Sequence, residues 1–475
     1  MAQDATEETA ADASVPRFSK RKQLWITLAA SWVTWNSNLG SSLPSGAAEV
    51  IRDGLDVAST SELVWLNSLY MLGYAAGPLL FGPLSEHIGR RPVILGAYLA
   101  YMVCTAACAL SINKAMLLAF RFLTGFVASA PNATVGGLIA DAHPDRRRRG
   151  LAMAYFTCAA AAGPLFGPMV SGFAQLHSWQ LIFWVGLAIA GIGLPLPVFL
   201  PETFAPVLEK KRKKAAGEPE EVHLPEGSPG KGLLAELRVV FSRPAVMLVR
   251  EPIVTWTSTY LALVYSILYL FFQAYPVIFG GVYGLSPGFV GLGYLPILAG
   301  IIAGLLVVFV YDAWLGQQRA MGSQWALNDT YRRLPLACIG GPLVVIGLFW
   351  LGWASRASVH PSIPMLSGLA FGAGYMLIFV AMVNYLSDAY REYSASAHTA
   401  ASTTRSLAAA FLPLAAPRMY ANLGVPWACS LLGFLFLALS AVPFVFIRFN
   451  DSIQKRSPFC QRLAIERPEM GQTSA

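Results

Sequence analysis

Long apolar runs alternate with short polar stretches along most of the chain. A helix that crosses the hydrocarbon core of a bilayer needs about 20 mostly apolar residues. Twelve runs of about that length occur, six on each side of a polar stretch at 201–250. They lie near residues 24–46, 62–83, 92–111, 115–138, 151–174, 180–200, 252–280, 288–312, 335–353, 362–386, 398–422 and 425–447. The runs are too continuous for the strands of a membrane barrel, so we predict an all-α integral membrane protein.

The composition changes this picture little. Of 475 residues, 55% are hydrophobic and 13% are charged, which is about half the charge of a soluble domain. So few charges cannot cover the surface of a soluble enzyme, and that surface must face lipid. The six Cys and six His show no zinc, disulfide or other metal-ligand spacing, and no phosphate-binding loop occurs. We therefore expect no metal, no cofactor, no catalytic residues and no enzymatic activity.

The basic residues fall into short blocks between the apolar runs, on one side of the predicted bundle. These are Arg90 and Arg91, Arg146 to Arg149, Lys210 to Lys214, Arg319, Arg332, Arg333 and Arg391. Lys and Arg are enriched in cytoplasmic loops, so both termini are predicted to be cytoplasmic. The net charge of +8 is thus explained by topology beside a lipid bilayer, and we expect no nucleic-acid partner.

This orientation divides the chain into five parts. They are a cytoplasmic tail at 1–23, a six-helix half at 24–200, a central loop at 201–250, a second half at 251–448 and a cytoplasmic tail at 449–475. The central loop combines charges, Pro and Gly and should be flexible.

Three motifs stand out. The loop after the second run reads Gly82-Pro-Leu-Ser-Glu86-His-Ile-Gly89-Arg90-Arg91, with glycines for tight turns and charges for carboxylates or helix C-termini. The fourth run places Arg121, Gly125, Ser129 and Asn132 on one helical face, and a charge inside a span usually faces the bundle interior. The fifth run carries Gly163, Pro164, Gly167, Pro168 and Gly172, whose small residues allow another helix to approach closely.

The loop motif resembles the G-x-L-S-D-x-x-G-R-R signature of the major facilitator superfamily, with Glu86 where Asp is commoner. Further stretches, such as Trp179–Trp184, Asn384–Tyr390 and Met419–Trp427, are similar to the fungal twelve-span drug:proton antiporter group. This resemblance covers residues from about 24 to about 448. It implies the major facilitator fold, with two six-helix halves around a central cavity.

The resemblance also implies roles for the motifs. The loop with Glu86, Arg90 and Arg91 would be a cytoplasmic latch between the halves, and the Gly-Pro motif is associated with antiporters. Arg121 matches a position often linked to proton coupling. Few carboxylates lie deep in the membrane. Proton coupling would then run through Arg121 together with an acid near a helix end, either Asp141 or Glu251. Alternatively, the substrate would carry its own proton.

In this fold the substrate binds at the midplane between the halves. Polar or aromatic residues near the centres of the predicted spans are candidates to line the cavity: Trp35, Asn36, Tyr70, Tyr74, Asn132, Tyr265, Tyr269, Gln273, Tyr375 and Asn384. Aromatic walls with few polar groups suit flat or amphiphilic organic molecules. Relatives often carry an acid at the position of Gln273, so a cationic polyamine is disfavoured and a neutral or weakly acidic metabolite fits better.

We therefore expect a monomeric, proton-driven exporter of a small organic compound at the plasma membrane, with alternating access. An uptake symporter or uniporter for a nutrient or acid is the alternative. A sensor that has kept the transporter fold but no longer transports is a third reading, which the three intact motifs oppose.

Overall fold

The computed structural model describes residues 18–55, 60–175, 178–215, 233–323, 329–390, 393–457 and 461. Across these residues the chain is helical and contains no β-strand. Most of the two predicted tails and the middle of the predicted central loop, residues 216–232, lie outside the described residues. The all-α prediction is confirmed for the rest.

The helices follow the predicted spans closely. The first half contains α1 (Lys20–Ser42), α2 (Ala48–Gly54), α3 (Thr60–Ile88), α4 (Arg90–Ala109), α5 (Lys114–Ala128), α6 (Ala130–Ala142), α7 (Arg146–Ala174), α8 (Trp179–Gly193) and α9 (Pro195–Val198). Two helices, α10 (Ala205–Ala215) and α11 (Leu233–Arg250), lie between the halves in sequence. The second half contains α12 (Pro252–Tyr275), α13 (Pro287–Leu292), α14 (Leu295–Ala320), α15 (Asp329–Ala354), α16 (Ser362–Tyr390), α17 (Ser394–Phe411), α18 (Ala416–Leu439) and α19 (Val442–Arg456).

Ten segments of the described chain are long and apolar enough to cross a membrane. The last of them, Ser394–Asn450, has 57 residues, but Gly424 inside it has φ 70° and ψ 171° and divides it into the predicted eleventh and twelfth spans. The first predicted span corresponds to α1, which is less apolar because its last two turns carry Asn and Ser side chains. With that division and α1, the described segments account for all twelve predicted spans.

The two halves repeat one packing arrangement. In the first half, a Cβ on Gly125 of α5 would lie 2.0 Å from the carbonyl oxygen of Tyr70 in α3. In the second half, a Cβ on Gly372 of α16 would lie 2.1 Å from the carbonyl oxygen of Ile297 in α14. Inside a bilayer the hydrophobic effect does not drive helices together, and small residues allow their backbones to pack closely. Each half thus joins its second and fourth spans through glycine.

The bundle has two ends. We call the end where α1 begins the tail end; Gln23 of α1 there donates to the carbonyl of Ala142, the last residue of α6, at 3.2 Å. We call the opposite end the far end; there Asn67 of α3 donates to Ser45 at 2.8 Å, just after α1. Under the predicted orientation the tail end is cytoplasmic.

The prediction of a flexible central loop is wrong for part of this stretch. Both of its described ends are helical, and α11 packs at the tail end against α12 and α17. Met247 and Pro244 of α11 are buried, whereas Val249 is 84% exposed. The charges and prolines of this stretch predict a loop, but α11 buries Pro244 and Met247 against the bundle.

Candidate functional site

The loop motif at the tail end is organised by a carboxylate. Gly89, with φ +105°, separates α3 from α4, and the Glu202 carboxylate accepts hydrogen bonds from the backbone N–H groups of Arg90 (3.0 Å) and Arg91 (3.2 Å). A Cβ at Gly89 would lie 2.4 Å from Glu202 Oε2, so only glycine fits. Glu202 therefore caps the first turn of α4, where backbone donors lack partners and negative charge is favourable.

The two arginines of this motif also bind within the first half. Arg90 Nε lies 3.5 Å from Asp141 Oδ2, and Arg91 Nη2 donates to the carbonyl of Val198 at the end of α9 at 3.0 Å. Glu86 is exposed and makes no hydrogen bond or ion pair with the described part of the chain, and Gly82 faces open space. In this conformation the motif thus braces the first half; none of these contacts is a latch to the second half.

The second half repeats the ion pair. Arg333 Nε, at the start of the ninth predicted span, lies 3.2 Å from Asp388 Oδ2, near the end of the tenth. Arg90 and Asp141 hold the corresponding positions at the third and fourth spans. The repeat indicates that these pairs stabilise the tail end of each half.

Arg121 is almost fully buried, at 1% exposure, in the interior of the first half. Its guanidinium donates to three backbone carbonyls: Nε to Leu66 (2.9 Å), Nη1 to Gly40 (2.7 Å) and Nη2 to Ser41 (2.8 Å). It also lies 4.6 Å above the ring of Tyr70. Gly40 and Ser41 end α1, where carbonyls lack helical partners, so a cation is favourable there without a carboxylate.

The first part of the Gly-Pro motif of α7 packs against α1. A Cβ at Gly163 would lie 2.6 Å from the carbonyl oxygen of Trp35, and a Cβ at Gly167 would lie 2.8 Å from the carbonyl carbon of Ser42. Ser42 Oγ donates to the carbonyl of Pro164 at 2.6 Å. These contacts hold α7 tightly on α1.

The part of the same motif nearest the far end contacts the second half. A Cβ at Gly172 would lie 2.5 Å from the carbonyl oxygen of Pro287, and Gly291 approaches the carbonyl of Pro168 at 2.7 Å by the same measure. Pro287 and Gly291 belong to α13 at the far end. The two halves are therefore in close contact at the far end.

Five of the predicted cavity tyrosines converge at the centre. Tyr70 and Tyr74 of α3 stack with ring centroids 6.4 Å apart, and both are buried, at 0% and 2% exposure. Tyr265 and Tyr269 of α12 lie 5.0 Å apart. Tyr375 of α16 stacks on Phe379 at 4.6 Å, and Phe379 lies 6.2 Å from Tyr265. We call these six residues, together with Arg405, the central cluster.

Hydrogen bonds cross between the halves beside this cluster. Ser41 Oγ and Tyr269 Oη lie 2.7 Å apart, and Asn132 Nδ2 donates to Ser402 Oγ at 2.6 Å. Arg405 Nη2 donates to Asn132 Oδ1 at 3.3 Å and its guanidinium lies 5.0 Å above the ring of Tyr265. Asn132 therefore reaches the interface between the halves, although it bonds α17 and not the tyrosines.

Four predicted cavity residues lie elsewhere or make no cluster contact. Asn36 donates to Tyr98 Oη at 2.9 Å and so faces α4 inside the first half. Trp35 packs against Phe166 of α7 at 5.4 Å. Asn384 donates to a carbonyl of its own helix, and half-buried Gln273 makes no hydrogen bond with the described residues. A helical pattern marks a face, but it does not say which neighbour that face meets.

The coupling candidates lie in three separate places. Arg121 is bonded to α1 and α3, and Asp141 is paired with Arg90 at the tail end. Glu251 is fully buried before α12, also at the tail end, where it accepts hydrogen bonds from Tyr390 Oη (2.8 Å) and Ser457 Oγ. The structure does not bring Arg121 together with either acid.

Arg405 is the residue of the central cluster that the sequence does not identify as a candidate. It lies inside the predicted span 398–422, and an ionisable residue at such a position marks a functional site by default. All six aromatic side chains of the central cluster are buried, at 0–6% exposure. The side chains of the cluster thus pack on one another, and the described conformation is closed at the centre.

Twelve helical spans in two repeated halves, which meet at a central aromatic cluster with a half-buried cation, define a secondary transporter of the membrane. The family model of the Major Facilitator Superfamily matches residues 24–413, and the chain belongs to this superfamily. The predicted family, the transporter class and the multi-pass membrane location are confirmed.

Several curated fungal relatives are similar over most of their length. The MFS-type transporter traF of Penicillium crustosum is 35% identical over 94% of this chain and 92% of its own. The MFS-type efflux pump MFS2 of Trichophyton rubrum is 36% identical over 89% of this chain and 71% of its own. Efflux pump FUB11 of Gibberella fujikuroi is 36% identical over 84% of this chain and 70% of its own.

A solved structure supports the fold. The proton:xylose symporter XylE, bound to 6-bromo-6-deoxy-D-glucose, matches with a TM-score of 0.65 over 91% of this chain and 96% of its own. The sequence identity is 17%, so the match concerns the fold alone. It confirms the predicted major facilitator architecture.

Proposed function

We propose that this protein exports a small organic compound, such as a toxin, a drug or a secondary metabolite. The central cluster carries the proposal, because both halves supply aromatic side chains to it near the middle of the bundle. Tyr265 is thirteen residues into α12, about 20 Å from the tail end. Ligand sites lined by aromatic side chains with few polar groups suit flat or amphiphilic molecules. The relatives named efflux pumps support export over uptake.

Transport follows from alternating access, in which the halves rock around the central site. Two sets of contacts must break in turn. Opening of the far end separates Gly172 from Pro287, and opening of the tail side separates Asn132 from Ser402. The closed centre is then an intermediate between an inward-facing and an outward-facing form, in which the substrate is enclosed.

We also propose that protons drive the export. Asp141 and Glu251 are the candidate proton-binding groups, since each is a carboxylate at the tail end that is bonded within its own half, Asp141 to Arg90 and Glu251 to Tyr390. Arg121 would affect proton coupling only by holding the end of α1 in place, because its N–H groups donate to the backbone carbonyls of Gly40 and Ser41. The protein would act as a monomer in the plasma membrane, with both termini in the cytoplasm.

The test is export from proteoliposomes that contain the full-length protein, with and without an imposed pH gradient. A panel of neutral toxins, organic acids and lipophilic cations would be compared between wild type and Tyr269→Ala. We expect gradient-driven export in the wild type and its loss in Tyr269→Ala. Trp256→Ala is the control, since Trp256 lies on the same helix as Tyr269, is 50% exposed, and should retain export.

Equal transport with and without the gradient would contradict proton coupling and indicate a uniporter. Accumulation of a compound against the proposed direction would indicate an uptake symporter. Movement of no compound by the wild type would favour a sensor.

A further inference from the structure

Arg405 is the cation of the central cluster. It is half-buried in α17, eleven residues from the start of that helix and thus about 16 Å from the tail end. Its guanidinium lies 5.0 Å from the ring centre of Tyr265 and 5.3 Å from that of Phe379. Two aromatic rings of the second half therefore flank one positive charge at the interface with the first half.

Among the described residues, this charge has no counter-ion. No carboxylate of the described residues pairs with Arg405, and only Nη2 donates hydrogen bonds, to Asn132 Oδ1 and Ser402 Oγ, both at 3.3 Å. Arg405 Nε is buried and has no acceptor. A guanidinium has five N–H donors, and a charge removed from water is unfavourable unless it is paired. The described residues therefore leave the positive charge of Arg405 unbalanced and some of its N–H donors without acceptors.

We propose that the substrate completes it, so that Arg405 binds a carboxylate of an organic acid with an aromatic or apolar body. This inference rests on the proposed export function and names its substrate class. A carboxylate matches the planar fork of Nε and an Nη atom and takes two parallel hydrogen bonds, whereas a point contact would use only one. The rings of Tyr265 and Phe379 would contact the apolar body beside that carboxylate.

The rest of the cluster agrees with an anionic ligand. It contains no Asp or Glu, and Gln273 on the same helix as Tyr265 and Tyr269 is uncharged. An organic cation would meet the positive charge of Arg405 without a compensating acid. Because Asn132 of the first half occupies Nη2 in the closed conformation, a bound carboxylate competes with the contact that joins the halves.

The test measures binding and not transport, so that it stands apart from the direction and coupling of export. Full-length protein in lipid nanodiscs would be titrated with 2-naphthoate, 2-naphthamide and 2-naphthylmethylammonium, which share one ring system and differ in charge. We expect the wild type to bind the carboxylate at least tenfold more tightly than the amide, and the cation most weakly. Arg405→Gln should bind carboxylate and amide within about twofold of each other, since only the charge-assisted bonds are lost.

Two further variants serve as controls. Arg418→Gln removes an exposed arginine of the next helix and should keep the tenfold preference. Arg405→Lys keeps the charge but not the fork, and should keep part of the preference. The proposal would be overturned if the wild type shows no preference for the carboxylate, or no measurable binding of 2-naphthoate at all. It would also be overturned if Arg405→Gln keeps the preference. If the preference holds but proteoliposomes show uptake or no gradient dependence, the proposed function fails and this inference stands.

Discussion

Arg121 and Arg405 are two arginines inside the membrane-spanning bundle with opposite surroundings. Each lies over a tyrosine ring, at 4.6 Å from Tyr70 and 5.0 Å from Tyr265, and neither is paired with a carboxylate among the described residues. Arg121 uses three nitrogens on backbone carbonyls at 2.7–2.9 Å. Arg405 uses one nitrogen on two neutral side chains at 3.3 Å.

The difference separates a structural charge from a binding charge. The carbonyls of Gly40 and Ser41 are the free negative end of α1, so the protein itself supplies what Arg121 needs. Arg405 sits between the halves, where its surroundings change during alternating access. A cation that was fully bonded there would resist that change, whereas a partly bonded one can accept a ligand.

The largest effect should come from Arg121→Ala. It leaves the carbonyls of Gly40 and Ser41, at the end of α1, without their side-chain donors, at about 1–3 kcal/mol each, so we expect the free energy of unfolding to fall by about 2 kcal/mol or more. Reversible unfolding in mixed detergent micelles measures this. Arg121→Lys, which keeps one charged donor, should lose less. A stable Arg121→Ala protein that transports but ignores the pH gradient would instead establish a coupling role.

The contrast between these residues also shows what the sequence could predict. The twelve spans and the signature around Arg90 and Arg91 could be read directly, because both depend on the order of residues along the chain. The surroundings of Arg121 could not, since they depend on how the end of α1 meets α5. The position of Asn36 could not be predicted for the same reason, because the sequence indicates its helix but not the contact of that helix with α4.

Arg405→Met should have a much smaller effect on stability. Met has a similar length and needs no acceptor, and replacing a buried charge by an apolar group is often neutral or stabilising. We expect the free energy of unfolding to stay within about 1 kcal/mol of the wild type, measured as for Arg121→Ala. A loss as large as that of Arg121→Ala would mean that Arg405 is a structural charge as well, and the comparison would fail.

The smallest effect concerns Asn132, which holds Arg405 from the opposite half. In Asn132→Ala the acceptor for Nη2 is gone, so a carboxylate no longer competes with it, and 2-naphthoate should bind about two- to threefold more tightly, by about 0.4–0.6 kcal/mol. Asn384→Ala is the matched control, because the Asn384 amide donates only to Val380 of its own helix, and its affinity should be unchanged. Weaker binding in Asn132→Ala would mean that Asn132 contacts the ligand itself. Tighter binding would show that the contact between the halves and the substrate anion compete for one guanidinium, which couples occupancy of the site to separation of the halves.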